Sequence, residues 1–186
     1  MNGTELLSGF WPYAEEKGIE LYNEFSLQHE IGIYLREKLP GRKVQFERNV
    51  AYFGIRDELV KKEIDVSVFT PDHSETYALE LKFPRNGQYP EQMYSFVRDL
   101  VFAEELVQSG FTGAWVLTLA EDRPFFEGAR NEGIYRYFRG GEPLEGTVFK
   151  PTGPTKGREA LTLSGSYRIA WQKAGARRWY CLEAKP

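Results

Sequence analysis

Residues 63–68, Glu63-Ile64-Asp65-Val66-Ser67-Val68, and residues 79–82, Leu79-Glu80-Leu81-Lys82, decide how this chain is read. Both alternate apolar and polar side chains with the period of two that marks a strand covered on one face. Ile64, Val66 and Val68 then share the core face and Asp65 takes the other. Leu79, Leu81 and Phe83 likewise point inward, with Glu80 and Lys82 together on the opposite side. Thr70-Pro71-Asp72 supplies a turn between the two strands. Paired as a hairpin, the strands bring Asp65, Glu80 and Lys82 to one edge. Two carboxylates that meet there repel unless a cation lies between them. Oxygen-only ligands suit a hard ion, so Mg²⁺ or Mn²⁺ is the expected guest. Lys82 beside such an ion is placed to orient or deprotonate water, or to stabilise charge developing on a phosphate. The plain alternative is a solvated, charged sheet face.

Outward from this hairpin the pattern stays regular for some distance. Leu27, Ile31, Leu35 and Leu39 recur every four positions and predict a helix over 20–39, stopped by Pro40-Gly41. Residues 43–52 read as a strand, 63–69 as a second and 76–83 as a third. Pro90 suits the first turn of a long helix to about Gln108. Its apolar stripe is Met93, Phe96, Val97, Leu100, Ala103 and Val107, and Gly110 ends it. Residues 114–119, AWVLTL, form a nearly all-apolar strand of the buried kind. Beyond them a short helix is expected over 121–130. A loop is expected over 140–157, which holds 5 Gly and 3 Pro, and two closing strands over 161–171 and 179–183.

The order helix, strand, strand, strand, helix, strand, with Asp65 on the first strand of the hairpin and Glu80-x-Lys82 on the second, resembles the PD-(D/E)XK nuclease superfamily. The likeness covers roughly residues 20–119. Asp65 and Glu80 are 15 residues apart, a comfortable span for that hairpin, although Ile64 stands where the motif has Pro. The resemblance implies a restriction-endonuclease-like α/β fold, a mixed sheet flanked by helices with extra C-terminal strands here, in a single domain. It implies phosphodiester hydrolysis, in DNA by preference, with Asp65 and Glu80 on Mg²⁺ or Mn²⁺ and Lys82 as the catalytic lysine. Many members add a helix carboxylate to the metal; Glu30 is the first candidate and Glu24 the second. Some branches carry Q-x-x-x-Y on the following helix, where this chain has Gln92 and Phe96. Arg85 in the loop after Lys82, together with Lys156 and Arg158 in the Gly/Pro-rich loop, are candidate phosphate contacts. A non-catalytic module that binds nucleic acid or a partner protein on the same fold is the competing class.

Composition sets the outer bounds. The chain has 186 residues, 41% apolar and 27% charged, enough for about one domain with a core of its own and unlike a disordered chain. The net charge of −3 excludes nucleic-acid binding by bulk charge alone. Charge is uneven, however: residues 140–186 hold 8 basic and 4 acidic side chains, leaving 16 and 23 in residues 1–139. One cysteine, Cys181, excludes an intramolecular disulfide and a cysteine zinc site and suits a reducing compartment. His29 and His73 have no partners at metal-ligand spacing. No apolar run approaches membrane-spanning length and no signal peptide opens the chain. A cytoplasmic protein is expected, with a homodimer or a partner protein compatible with these features.

Overall fold

In the computed structural model, residues 2–85 and 87–185 are described. Asn86, in the loop after Lys82, falls outside them. Two short helices open the chain, α1 (Gly3–Ser8) and α2 (Phe10–Glu16), where the sequence suggested irregular structure. Helix α3 (Glu24–Lys38) follows. It begins four residues later than the apolar repeat suggested because Asn23 caps it: its side chain accepts from the Ser26 N–H at 2.8 Å, and the Ser26 hydroxyl in turn accepts from the Asn23 N–H at 3.0 Å. Leu27, Ile31 and Leu35 are buried as the repeat requires.

The strands are β1 (Lys43–Asn49), β2 (Glu63–Phe69), β3 (Thr76–Lys82) and, after helix α4 (Tyr89–Gln108), β4 (Gly113–Ala120). The expected run to residue 52 stops at Asn49, whose side chain accepts from the Ala51 N–H and turns the chain into a 3₁₀ segment, Val50–Phe53. Helix α5 (Tyr135–Phe138), β5 (Leu144–Phe149), β6 (Ala160–Tyr167), β7 (Gln172–Ala174) and β8 (Arg177–Glu183) complete the chain. The helix expected over 121–130 is only a 3₁₀ turn at Arg123–Phe125. The loop expected over 140–157 holds strand β5, which keeps Gly146 within it at an irregularity in the register, and Pro151, Gly153, Pro154 and Gly157 fall in the connection to β6.

Six strands form one mixed sheet in the order β1-β2-β3-β4-β8-β7. Neighbours are antiparallel except β3 and β4, which run parallel and are joined across one face by α4. Strands β8 and β7 extend the sheet beyond β4, and β5 and β6 form a separate two-stranded sheet.

Both faces of the main sheet are covered. Leu27, Ile31 and Leu35 of α3 pack with Val66, Val68, Leu79, Leu81 and Leu117 in one cluster that also takes in Leu7 and Phe10. The other face carries α4, in a cluster with Ala78, Val116 and Tyr180. Gly32 lets α3 settle on β1, since a Cβ there would lie 2.1 Å from the Phe46 ring. Helix α4 is buried on nearly all sides, because β6 lies across its outer surface. Glu104 anchors that contact, accepting from the Ser164 and Gly165 N–H groups and the Tyr167 hydroxyl at 2.6–2.8 Å. Among the described residues no helix is long and apolar enough to cross a membrane.

Candidate active site

Strands β2 and β3 pair only from Val66↔Leu79 to Phe69↔Thr76. Past that point β2 stays with β1, and β3 continues beside β4 to Lys82↔Thr118. The two strands fork, and Asp65 and Glu80 sit in the fork. Each carboxylate replaces a missing ladder bond. The Leu81 N–H donates to Asp65 Oδ2 at 2.7 Å, and the Asp65 N–H donates to Glu80 Oε1 at 3.2 Å. One oxygen of each group thus closes the fork.

The other oxygens meet on a cation that the sequence did not reveal. Lys61, four residues before Asp65, places its Nζ in direct contact with Glu80 Oε2, 3.0 Å from Asp99 Oδ1 of α4 and 3.8 Å from Asp65 Oδ1. Lys82 Nζ lies 3.0 Å from Asp99 Oδ2 and 3.7 Å from Glu24 Oε1 of α3. Four carboxylates therefore surround two ammonium groups. Glu80 is inaccessible and Asp99 only 3% exposed, whereas Glu24 is 44% exposed and forms the open side.

Two expectations about faces change. The face bearing Glu80 and Lys82 is not solvated; it lies under α4, and this makes the charge cluster an interior feature. Ile64 also leaves the face of its neighbours, packing into the α4-side cluster while Val66 and Val68 pack on the α3 side. The break in alternation falls at Asp65. In the opposite rung, between Phe46↔Val66 and Arg48↔Ile64, Glu47 holds a left-handed backbone at φ 48°. Gln28 of α3 bridges this kink, donating to the Asp65 carbonyl at 2.7 Å and to Glu47 Oε1 at 2.6 Å. A non-glycine residue in that region is costly and is retained where surroundings enforce it.

Burial dominates the electrostatics. It pushes the Asp65 carboxyl up to about 6, against the downward pull of Lys61 and Lys82. Burial, reinforced by Asp65, also holds Glu80 well above the usual carboxylate range. For Lys61 and Lys82 burial acts downward, but the surrounding acids outweigh it and both stay above their ordinary values, so both remain charged.

The helix carboxylate at this site is Glu24, not Glu30. Glu24 Oε2 accepts from the Phe83 N–H at 2.8 Å, which ties the end of β3 to α3. Glu30, six residues on and about 240° around the helix, pairs with His29 at 3.2 Å instead. Gln92 lies on α4 two turns before Asp99 and on the same face. Arg85 pairs with Glu121 beside the Phe83 ring. Lys156 lines a cleft at the β5–β6 turn, and Arg158 donates to the Pro154 carbonyl within its own turn. Lys61 and Asp99 were missed, though Asp99 carried a signal. It is an acid set at helical spacing between Phe96 and Ala103, inside an otherwise apolar stripe. Lys61 lies in an irregular segment where no period points.

Among the described residues no group of three or more His, Cys, Asp or Glu side chains is arranged to hold a metal ion. No family model matches the chain, and no curated protein or solved structure matches it.

Proposed function

We propose that this chain is a metal-dependent nuclease of the PD-(D/E)XK kind, with a restriction-endonuclease-like core, acting on phosphodiester bonds and on DNA by preference. The observation that carries the reading is the convergence in one fork of Asp65, Glu80 and Lys82, the three residues the motif requires, with Glu24 added from α3.

Carboxylate oxygens are the donors a hard cation takes, which supports the reading. Asp65 Oδ1 and Glu80 Oε2 are carboxylate oxygens left over from the backbone bonds and aimed at a common point. A lysine ammonium stands at that point, which supports a pocket that favours positive charge. Asp65 and Glu80 would hold Mg²⁺ or Mn²⁺ once the Lys61 stem swings aside. When bound, the ion supplies charge to offset that developing on the scissile phosphate. Lys82, kept protonated by Asp99 and Glu24, acts as a fixed donor and positive charge toward the phosphate rather than as a base. Asp99 positions it from the interior. Glu24 positions it from the open side, where substrate enters.

A second reading draws support from one specific feature. The Asp65, Glu80 and Glu24 carboxylates each accept a backbone N–H, and Lys61 and Lys82 offset part of their charge. A binding module without chemistry could keep the same residues to close the fork. Incubating the chain with plasmid, linear, single-stranded and branched DNA, with Mg²⁺ or Mn²⁺ and with a chelator, separates the two. Metal-dependent cleavage is expected, and its absence on every substrate favours the module.

A further inference from the structure

A cleft of about 490 Å³ lies between residues 130–137, which include the start of α5, and the β5–β6 hairpin. That volume is in the range of sites that hold small molecules or segments of a polymer, about 300–1,000 Å³. Its floor is apolar, with Ile134, Tyr137 and Val148 all buried. Its rim is basic: Arg130, Arg136, Lys150 and Lys156 line it against a single acid, Glu132. This concentration stands out on a chain whose net charge is −3.

These cations differ in availability. Lys150 is held by Glu159 at 3.0 Å and Glu91 at 3.7 Å. Arg136 has Glu142 at 3.6 Å. Arg130 and Lys156 form no ion pair among the described residues. Arg130 is steadied instead by the Tyr135 ring, 5.6 Å from its guanidinium carbon. A rim of this kind is matched to an anion with several spaced charges.

The cleft also carries a half-exposed aromatic residue. Phe149 ends β5 and is 56% exposed, one of the few large apolar side chains left open. An exposed ring among cations suits a ligand with flat apolar faces and phosphates. In a duplex those faces are hidden by stacking, whereas in a single strand they are free. The cleft continues past Pro90 into a shallower trough lined by Gln88, Glu91, Lys150 and Thr152. Pro90 lies in the first turn of α4, which carries Asp99 nine residues on, about 14 Å along the axis. A mononucleotide has no use for that continuation, and a strand does.

We propose that the cleft between α5 and the β5–β6 hairpin binds single-stranded nucleic acid, Arg130, Arg136 and Lys156 contacting phosphates and Phe149 stacking on a base. Its role as the track that leads a strand to the acid cluster rests on the nuclease reading; binding itself does not.

The test is fluorescence anisotropy of a labelled single-stranded oligonucleotide, and of its duplex, with the full chain in chelator so that no cleavage intervenes. Wild type should bind the single strand more tightly than the duplex. Phe149→Ala should weaken single-strand binding about tenfold or more. The double variant Arg130→Ala/Arg136→Ala removes two phosphate contacts. The slope of log affinity on log salt should therefore become less negative by about 1.4. Lys173→Ala, which removes an exposed positive charge outside the cleft, should bind as wild type does. All of these positions are at the surface, and far-ultraviolet circular dichroism confirms folding. Wild-type affinity in both cleft variants, tighter binding of the duplex, or no binding of the single strand by wild type at low salt would each overturn the proposal. Cleft-dependent binding without cleavage by wild type counts against the nuclease reading alone. Cleavage with unaltered binding by the cleft variants counts against the cleft alone.

Discussion

Replacing Lys61 by Met keeps most of the stem and removes the ammonium on which Glu80, Asp99 and Asp65 converge. At about 4 Å and an effective dielectric near 20, each such attraction has a gross value of about 4 kcal/mol, much of it offset by desolvation. The net cost of deleting one member of a buried ion cluster is about 3–5 kcal/mol, because the remaining charges lose their partner. Lys61 keeps 24% of its side chain in water, so the lower end, about 3 kcal/mol, is expected. For a chain of 186 residues, each kcal/mol moves Tm by about 2–4 °C, giving a fall of about 6–12 °C. A divalent ion should then act on the variant more than on wild type, since no ammonium has to be displaced. At 100 times its Kd, Mn²⁺ returns about 2.7 kcal/mol, most of the loss. Thermal unfolding with and without Mn²⁺, with isothermal titration calorimetry for affinity, reads both effects. A Lys61→Met protein that melts at the wild-type temperature in chelator, or gains less from Mn²⁺ than wild type does, refutes the view that Lys61 occupies a cation seat.

Asp65→Asn should raise the melting temperature at pH 7.5. The folded-state pKa of Asp65, about 6, lies above its ordinary 3.8, so its stabilising proton is fully present below pH 4 and lost as pH rises through 6. At neutral pH ionisation then costs about 3 kcal/mol that Asn avoids; the advantage should shrink toward pH 4, and a less stable variant at pH 7.5 would mark Asp65 as purely structural. Glu24→Gln should weaken the hold on Lys82 and lower cleavage, while Glu30→Gln should cleave as wild type does. The reverse ranking would contradict the assignment of the α3 faces.

The hairpin and the long helix were legible because their apolar periods were unbroken. The bounds expected for β2 match those found, and α4 differs by one residue at its start. The early helices α1 and α2 were not legible, since each is too short for a helical period to repeat. Strand β5 was hidden by Gly146 within it and by the glycines and prolines on either side. At the site, Asp65, Glu80 and Lys82 came from alternation and order, but their burial did not. A strand covered on both faces by helices still alternates polar and apolar residues when the polar ones form a buried cluster. Glu24 over Glu30 turned on where α3 begins, and Asn23 decided that. Lys61 reaches the fork through tertiary structure alone.

The central claim is that the β2–β3 fork hydrolyses phosphodiester bonds with Lys82 as its fixed charge, and the rate of cleavage by Lys82→Ala tests it most directly. Single-turnover cleavage in Mg²⁺ or Mn²⁺ by wild type, Lys82→Ala and Lys82→Arg is measured beside nucleic-acid affinity in chelator. The account predicts metal-dependent cleavage by wild type and a loss of about 10²–10⁴ in rate for Lys82→Ala. It predicts partial activity for Lys82→Arg, which keeps the charge, and affinity close to wild type throughout. Cleavage by Lys82→Ala at the wild-type rate, or no cleavage by wild type under any of these conditions, would contradict it.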